Sequence, residues 1–269
     1  MNASAAFPHV SAPLVAPSSH QPPVLAELAP VQRGAYRLRL ARTWEDVRAA
    51  QVLRFLVFNV ELQLGLEESY STCRDADAYD AICDHLLVED QATGEVVGTY
   101  RLQSGERAAE HLGYYSAREF DCAPFEPLRS QLVELGRACV HSSHRNFFVL
   151  NLLWRGIADY ATALGCRYLI GCSSVASQDA AAGLAAYQRL EPFLVAREWR
   201  TRPLPGYDRP GLEPAADAPK IPKLLTAYLA LGARICGPPA IDTEFKTIVF
   251  LTFLDLQALP AWARARYLS

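Results

Sequence analysis

Glu134 and Arg137 lie three residues apart in Leu132-Val-Glu-Leu-Gly-Arg-Ala-Cys-Val140. A carboxylate can take a proton from a nucleophile, and a guanidinium can orient it or hold an anion. The run reads as a strand, in which positions three apart point to opposite faces. One extra residue in a bulge would return the two charges to one side. Gly136 relaxes the backbone there, so a bulge is expected at Leu135-Gly136; without it the two form an ordinary strand ion pair. Cys139, His141 and His144 follow on a strand end and a loop, with no fixed convergence and no fourth ligand. Hydrogen-bonded histidines are expected there, and no metal site. Upstream lies an acidic stretch of Glu67, Glu68, Asp75, Asp77, Asp80 and Asp84. It is either a solvated loop or a carboxylate cluster facing a cationic substrate or nearby arginines. Ser173 and Ser174 lack a Gly-flanked elbow, and neither a P-loop nor a dinucleotide fingerprint is present.

The elements that must position these residues follow from periodicity. After the strand at Leu132–Val140 comes a loop, residues 141–146. Leu150, Leu153, Trp154, Ile157, Ala161 and Leu164 then recur at helical spacing, and Gly165 sits where a left-handed cap would stop the helix. Tyr168 begins a second, buried strand. Strand, crossover helix and parallel strand make a βαβ unit, and ligands often bind where such a helix starts. Tyr36–Leu40 reads as an edge-like strand. Thr43 caps a helix running past Val57, with Arg54 and Phe58 one turn apart on it. A hairpin pairs residues 84–89 with 95–102 around Thr93-Gly94 and carries Arg101. Residues 103–129 read as loop with one short helix. Further on, Asp179 caps a helix bearing Tyr187, residues 193–201 read as a strand, and Pro222 starts a helix. A buried strand over 245–254 and a short helix over 260–268 close the chain.

The chain has 269 residues, 51% hydrophobic and 20% charged, and a net charge of -3. This is globular composition without a basic field for nucleic acid. Seven cysteines, an odd number with no C-x-x-C pair, point to reduced thiols and a cytosolic protein. Residues 1–32, rich in Pro and Ala, read as a disordered tail ahead of a single domain, 33–269. No apolar run reaches the length of a membrane span.

From about Tyr36 to Leu256 the chain resembles bacterial ornithine–acyl-carrier-protein N-acyltransferases of the GNAT superfamily, some of whose relatives are labelled hemolysin-like. The resemblance is carried by LRFLVFNVEL (53–62), RDADAYDAICDHLLV (74–88), VVGTYRL (96–102), ELGRACV (134–140), LLWRGIADY (152–160), IGCSS (170–174) and PKIPKLLTAYLALGARICGPPAIDTEF (219–245). It is also similar to acyl-homoserine-lactone synthases and N-acyl amino acid synthases. The resemblance implies an α+β fold, an α/β/α sandwich with a central mixed sheet. It implies a working cluster of Arg54, Phe58, Asp77, Asp80, Arg101, Glu134 and Arg137. It further implies transfer of a (3-hydroxy) fatty acyl chain from acyl carrier protein to the α-amine of L-ornithine, giving a lyso-ornithine lipid.

Within that resemblance Glu134 is expected as base, with Arg137 beside it and oxyanion donors at a bulge near residues 136–138. Tyr187 is a weaker candidate to protonate the leaving thiolate. Asp75, Asp77, Asp80 and Asp84 are candidates to select the second positive charge of ornithine. Loop 142–147 lacks the glycines that let acetyl-CoA enzymes hold a diphosphate, so a donor with one phosphodiester is expected, met by Arg145 and Asn146. No cofactor is expected, and acyl-CoA stays open as donor. Work at the cytoplasmic membrane face is implied, and Phe147, Phe148 and the C-terminal helix are candidates to touch lipid, with buried packing the more ordinary reading of the two phenylalanines. The alternatives are a signal synthase using S-adenosylmethionine, another N-acyl amino acid synthase, and a silent module that binds acyl carrier or lipid.

Overall fold

The computed structural model describes Pro22, Val24 and residues 26–268. In chain order the elements are β1 (Val31–Arg33), β2 (Tyr36–Leu40), α1 (Trp44–Phe55), β3 (Asp84–Asp90), β4 (Val96–Ser104), α2 (Gly105–Glu110), β5 (Leu132–Val140) and α3 (Phe147–Ala163). They continue with β6 (Tyr168–Val175), α4 (Ala180–Leu190), α5 (Lys223–Ala230), β7 (Arg234–Ile235), β8 (Ala240–Asp242), β9 (Thr247–Asp255) and α6 (Ala261–Tyr267). A π-helical turn, Leu56–Glu61, prolongs α1, and 3-10 turns fill Tyr115–Arg118 and Ala123–Gln131.

The strands lie in the order β1-β2-β3-β4-β5-β6-β9-β7, with β8 beside β9. β5 and β6 run parallel, and β6 and β9 antiparallel, so the sheet is mixed. The apolar stripe of α3 buries Val149, Leu152, Leu153, Ile157 and Tyr160 against Leu38, Leu86, Val88 and Leu102. Gly156 permits that approach, since a Cβ there would meet Leu86 at 2.7 Å. Gly165 ends the helix region at φ +67°. On the opposite face, α1 starts from a Thr43–Asp46 capping box and packs Val47 and Ala50 on Leu87. Leu86 and Leu87 thus serve opposite layers, as strand alternation requires. At the other end of the sheet, α4 and α5 cover Ile248 and Phe250, and Phe120 and Phe125 cover Val249, Leu251 and Phe253. The architecture is the expected α/β/α sandwich.

Several expectations need correction. β2 is not an edge: it pairs with β1 and β3, and β1 is the outer strand. The tail expected over 1–32 ends earlier, because Ala26 is in the core, Val24 and Leu28 pack against it, and β1 begins at Val31. Residues 1–21 of it lie outside the described residues. Residues 193–201 form 3-10 turns with a single bridge, Leu194 to Ile235, in place of a strand.

Two irregularities shape the middle of the sheet. The β5–β6 ladder runs only from Leu132↔Tyr168 to Glu134↔Ile170. Beyond it β5 stays with β4 and β6 stays with β9, so the two strands fork. Gly171 sits at the fork, where a Cβ would lie 2.5 Å from the Leu135 carbonyl oxygen. On the other side of β5, Thr99 pairs with Cys139 and Arg101 with Gly136, so Tyr100 faces both Arg137 and Ala138. The bulge therefore exists, one to two residues later than expected. Arg137 itself takes the left-handed conformation, φ +51°, and Gly136 does not. A non-Gly residue held there is strained, a feature that concentrates at functional sites.

Candidate active site

The fork makes a slot through the sheet. On the α3 side it opens into a cavity of about 60 Å³ lined by Tyr100, Leu135, Ala138, Trp154, Leu169 and Tyr228. The Tyr100 and Tyr228 hydroxyls hydrogen-bond each other at its rim. Burial, eased by that bond, puts the Tyr100 phenol up at about 12. On the α1 side the slot meets charge, through Arg137 and the residues around it.

Three arginines and three aspartates lock together there. Arg54 is fully buried; its Nε is 2.9 Å from Asp75 and its Nη2 2.6 Å from Asp80. Arg101 Nη1 reaches Asp77 at 2.5 Å and Asp80 at 3.0 Å. Arg137 Nη2 reaches Asp77 at 3.0 Å, and its Nε lies 3.5 Å from Asp75. Burial alone would raise the Asp80 carboxyl, but Arg54 and Arg101 outweigh it and hold the group well below the usual carboxylate range. Asp77 is lowered in the same way by Arg101 and Arg137. Tyr115 lies under the Arg137 guanidinium at 5.1 Å, with Phe245 at 4.5 Å. The expected cluster is thus brought together, but Asp77 and Asp80 are taken by arginines, and Asp84 accepts the Tyr160 hydroxyl at 2.8 Å. Each of these carboxylates already has a partner within the protein. Phe58 lies in the π-helical turn and packs beside Leu53, Val57 and Cys139.

Glu134 is buried on the same side as Arg137, as a bulge would arrange. Its oxygens accept from Tyr115 N at 2.6 Å, Ser116 N at 2.7 Å and the Ser116 hydroxyl at 2.5 Å. Burial raises its carboxyl, and those three donors pull it back only in part. Cys172 Sγ, which lines the slot, lies 3.7 Å from Ser116 Oγ.

The loop before α3 is tied down by contacts within the protein. Asn146 Oδ1 caps the helix, accepting from Phe148 N at 3.0 Å and Val149 N at 3.1 Å. Arg145 forms a bidentate pair with Glu61 at 2.5 and 2.7 Å. His144 Nδ1 meets the Tyr36 hydroxyl at 3.1 Å, and His141 Nδ1 meets Ser143 Oγ at 2.9 Å. Tyr187 packs in the apolar cluster of α4 and α5. Sequence reasoning missed Tyr115, Ser116, Glu119 and Asp242. They sit in aperiodic turns or a three-residue strand, and nothing local marks them.

Comparison with known proteins agrees with this geometry. A family model described as an acetyltransferase (GNAT) domain matches residues 53–155. The L-ornithine N(alpha)-acyltransferase of Rhodobacter capsulatus is 33% identical over 245 residues, covering 87% of this chain and 95% of that protein. The protein of the same name from Brucella abortus is 34% identical over 252 residues, covering 88% of each. The solved structure of FeeM, an N-acyl amino acid synthase from uncultured soil microbes, superposes with a TM-score of 0.50 at 14% identity. It covers 89% of this chain and 97% of its own, and shares the fold. This chain is an acyltransferase with a GNAT domain and belongs to the L-ornithine N(alpha)-acyltransferase family.

Proposed function

We propose that the protein transfers a fatty acyl chain, 3-hydroxylated where its supply provides it, from acyl carrier protein to the α-amine of L-ornithine, yielding a lyso-ornithine lipid. The observation that carries this reading is the match, along almost the whole chain, to relatives named for acylation of that amine. The slot supplies a mechanism. The thioester enters from the apolar α3 side and presents its carbonyl carbon at the bulge, where backbone N–H groups near Arg137 and Ala138 face the developing oxyanion. The amino acid approaches from the charged α1 side. Its α-amine attacks, the C–N bond forms and the C–S bond breaks, releasing the carrier thiolate. Glu134 takes the amine proton through the Ser116 hydroxyl, because its Oε1 already accepts from that hydroxyl. The Tyr100–Tyr228 pair lies on the thioester side and can return a proton to the thiolate.

Asn146 supports a carrier-bound donor. Its side chain occupies amides at the start of α3 that would otherwise cradle a diphosphate, so a single phosphodiester suits the loop better than CoA. The exposed Phe147, Phe148 and Trp262, with Arg266 4.4 Å over the Phe147 ring, support docking on the anionic cytoplasmic membrane face. The test is mass spectrometry of products from 3-hydroxyacyl-acyl carrier protein with ornithine, lysine, glycine, tyrosine or S-adenosylmethionine, one at a time. Acyl-ornithine is expected. Product with another amine alone would change the acceptor, and acyl-ornithine from acyl-CoA alone would change the donor.

A further inference from the structure

Charge on the α1 side of the slot does not balance locally. Arg54, Arg101 and Arg137 are matched by Asp75, Asp77 and Asp80. Arg118 lies 3.6 Å from Glu244 and stacks over Tyr115. Burial pulls His85 down to about 4, so it is neutral. Glu119 and Asp242, like Glu134, form no ion pair among the described residues, although they are only 4% and 6% exposed. Asp242 Oδ1 accepts from Glu244 N at 2.8 Å and Phe245 N at 2.9 Å. Glu119 has no such help: its Oε2 is buried and meets no hydrogen-bond donor. Burial, and then the neighbouring Asp242 carboxylate, push its carboxyl up to about 8. At that value the empty site keeps the Glu119 proton near neutral pH, because a buried carboxylate without a donor costs free energy and a second one beside it raises that cost. A ligand cation would relieve both.

Glu119 also follows closely on Ser116, the residue that serves Glu134. Its backbone is fixed, with its N–H on the Ser116 carbonyl at 3.1 Å and its carbonyl accepting from Leu204 N at 2.7 Å. Burial, and then the Glu119 carboxylate, raise the thiol of Cys172, which lines the slot. Arg137, on the opposite strand, acts on Glu119 too.

We propose that Glu119, with Asp242, seats the side-chain ammonium of the amino acid acceptor and so selects a diamino acid over a neutral one. The inference rests on the reading of ornithine as acceptor. The two amines of such an acceptor need opposite treatment. The α-amine must lose a proton to attack, and a pair of carboxylates would hold it as an inert cation. The side-chain amine must keep its proton, and the same pair favours that. Among the described residues no third His, Cys, Asp or Glu joins them at metal-binding spacing, and an ammonium needs only hydrogen-bond acceptors.

The test compares ornithine with 2-aminopentanoic acid, which has the same carbon chain and no second amine. The unmutated protein should prefer ornithine strongly. In Glu119→Gln the preference should fall about 10- to 100-fold, through the KM for ornithine with kcat little changed. Asp242→Asn should act in the same direction. Unchanged discrimination in Glu119→Gln overturns the proposal, as does an equal loss for both acceptors through kcat. A measurement without mutation stands beside it: ornithine should raise the melting temperature more than 2-aminopentanoic acid at equal concentration, and equal shifts overturn the proposal. If the unmutated protein makes no acyl-ornithine, the acceptor reading itself falls. If it does and Glu119→Gln keeps the KM, only the seat falls.

Discussion

Glu134 commits both oxygens to Tyr115 and Ser116, which fixes how its loss should read out. Glu134→Gln keeps the shape but cannot accept a proton. Its kcat should fall about 10²- to 10⁴-fold, with the KM for the acyl donor changed much less. Ser116→Ala should lower kcat in the same way, and the double variant should be no slower than the worse single one, since the two act in series. Multiplying losses in steady-state assays would separate Ser116 from the proton path. Arg54 makes a different prediction. Removing one partner from a buried ionic network leaves an uncompensated charge, so Arg54→Met should cost about 3–5 kcal/mol in urea denaturation. Asp80 adds a pH signature. Its folded carboxyl sits well below its ordinary value, so its stabilisation is complete above pH about 4 and is lost as pH falls through the lower folded value. Acid titration of the melting temperature should show that loss, and Arg54→Met should shrink it.

At the scale of elements, the fork depends on one close approach. A methyl group on Gly171 would press on the Leu135 carbonyl at 2.5 Å, just past the last β5–β6 rung. Gly171→Ala should lower stability by about 1–3 kcal/mol and raise the KM for the acyl donor, measured with saturating acceptor. A variant with unchanged kinetics would show that the slot width is not set there. The strand–helix–strand core was legible because its signals are local: a buried run, a helical stripe, Gly165 at the stop. The Thr43 capping box and the hairpin around Gly94 were legible for the same reason. β7 and β8 were not, because two- and three-residue strands exist only through pairing with β9. Likewise the partners of Arg54, Arg101 and Arg137 lie far along the chain, and Glu119 has meaning only beside Asp242. The bulge was foreseen from Gly136, yet the strain fell on Arg137, whose guanidinium ties it to Asp75 and Asp77. Asn146 stood beside Arg145 as a candidate to meet a single phosphodiester, and its cap on α3 became visible only in three dimensions.

For the whole molecule, α6 and the start of α3 form one surface. Tyr267 bonds Asn151 at 2.9 Å, which fixes α6 against α3 and sets Trp262 and Arg266 beside Phe147. No helix among the described residues is long and apolar enough to cross a membrane. The docking proposed above predicts that the protein floats with vesicles containing anionic lipid and is released in high salt. Phe147→Ala with Trp262→Ala should lose flotation while keeping turnover of soluble substrates; flotation unchanged by that pair would place the docking surface elsewhere. One more consequence comes from the fork between β5 and β6. On the proposed mechanism the two substrates reach it from opposite faces, so neither closes the other's entrance, and initial-rate lines should intersect rather than run parallel. On that reading the amide product would thread the sheet, with its hydrocarbon on one side and its head group on the other, and would leave by drawing one end through the gap, so a bulkier head group should slow product release more than bond making.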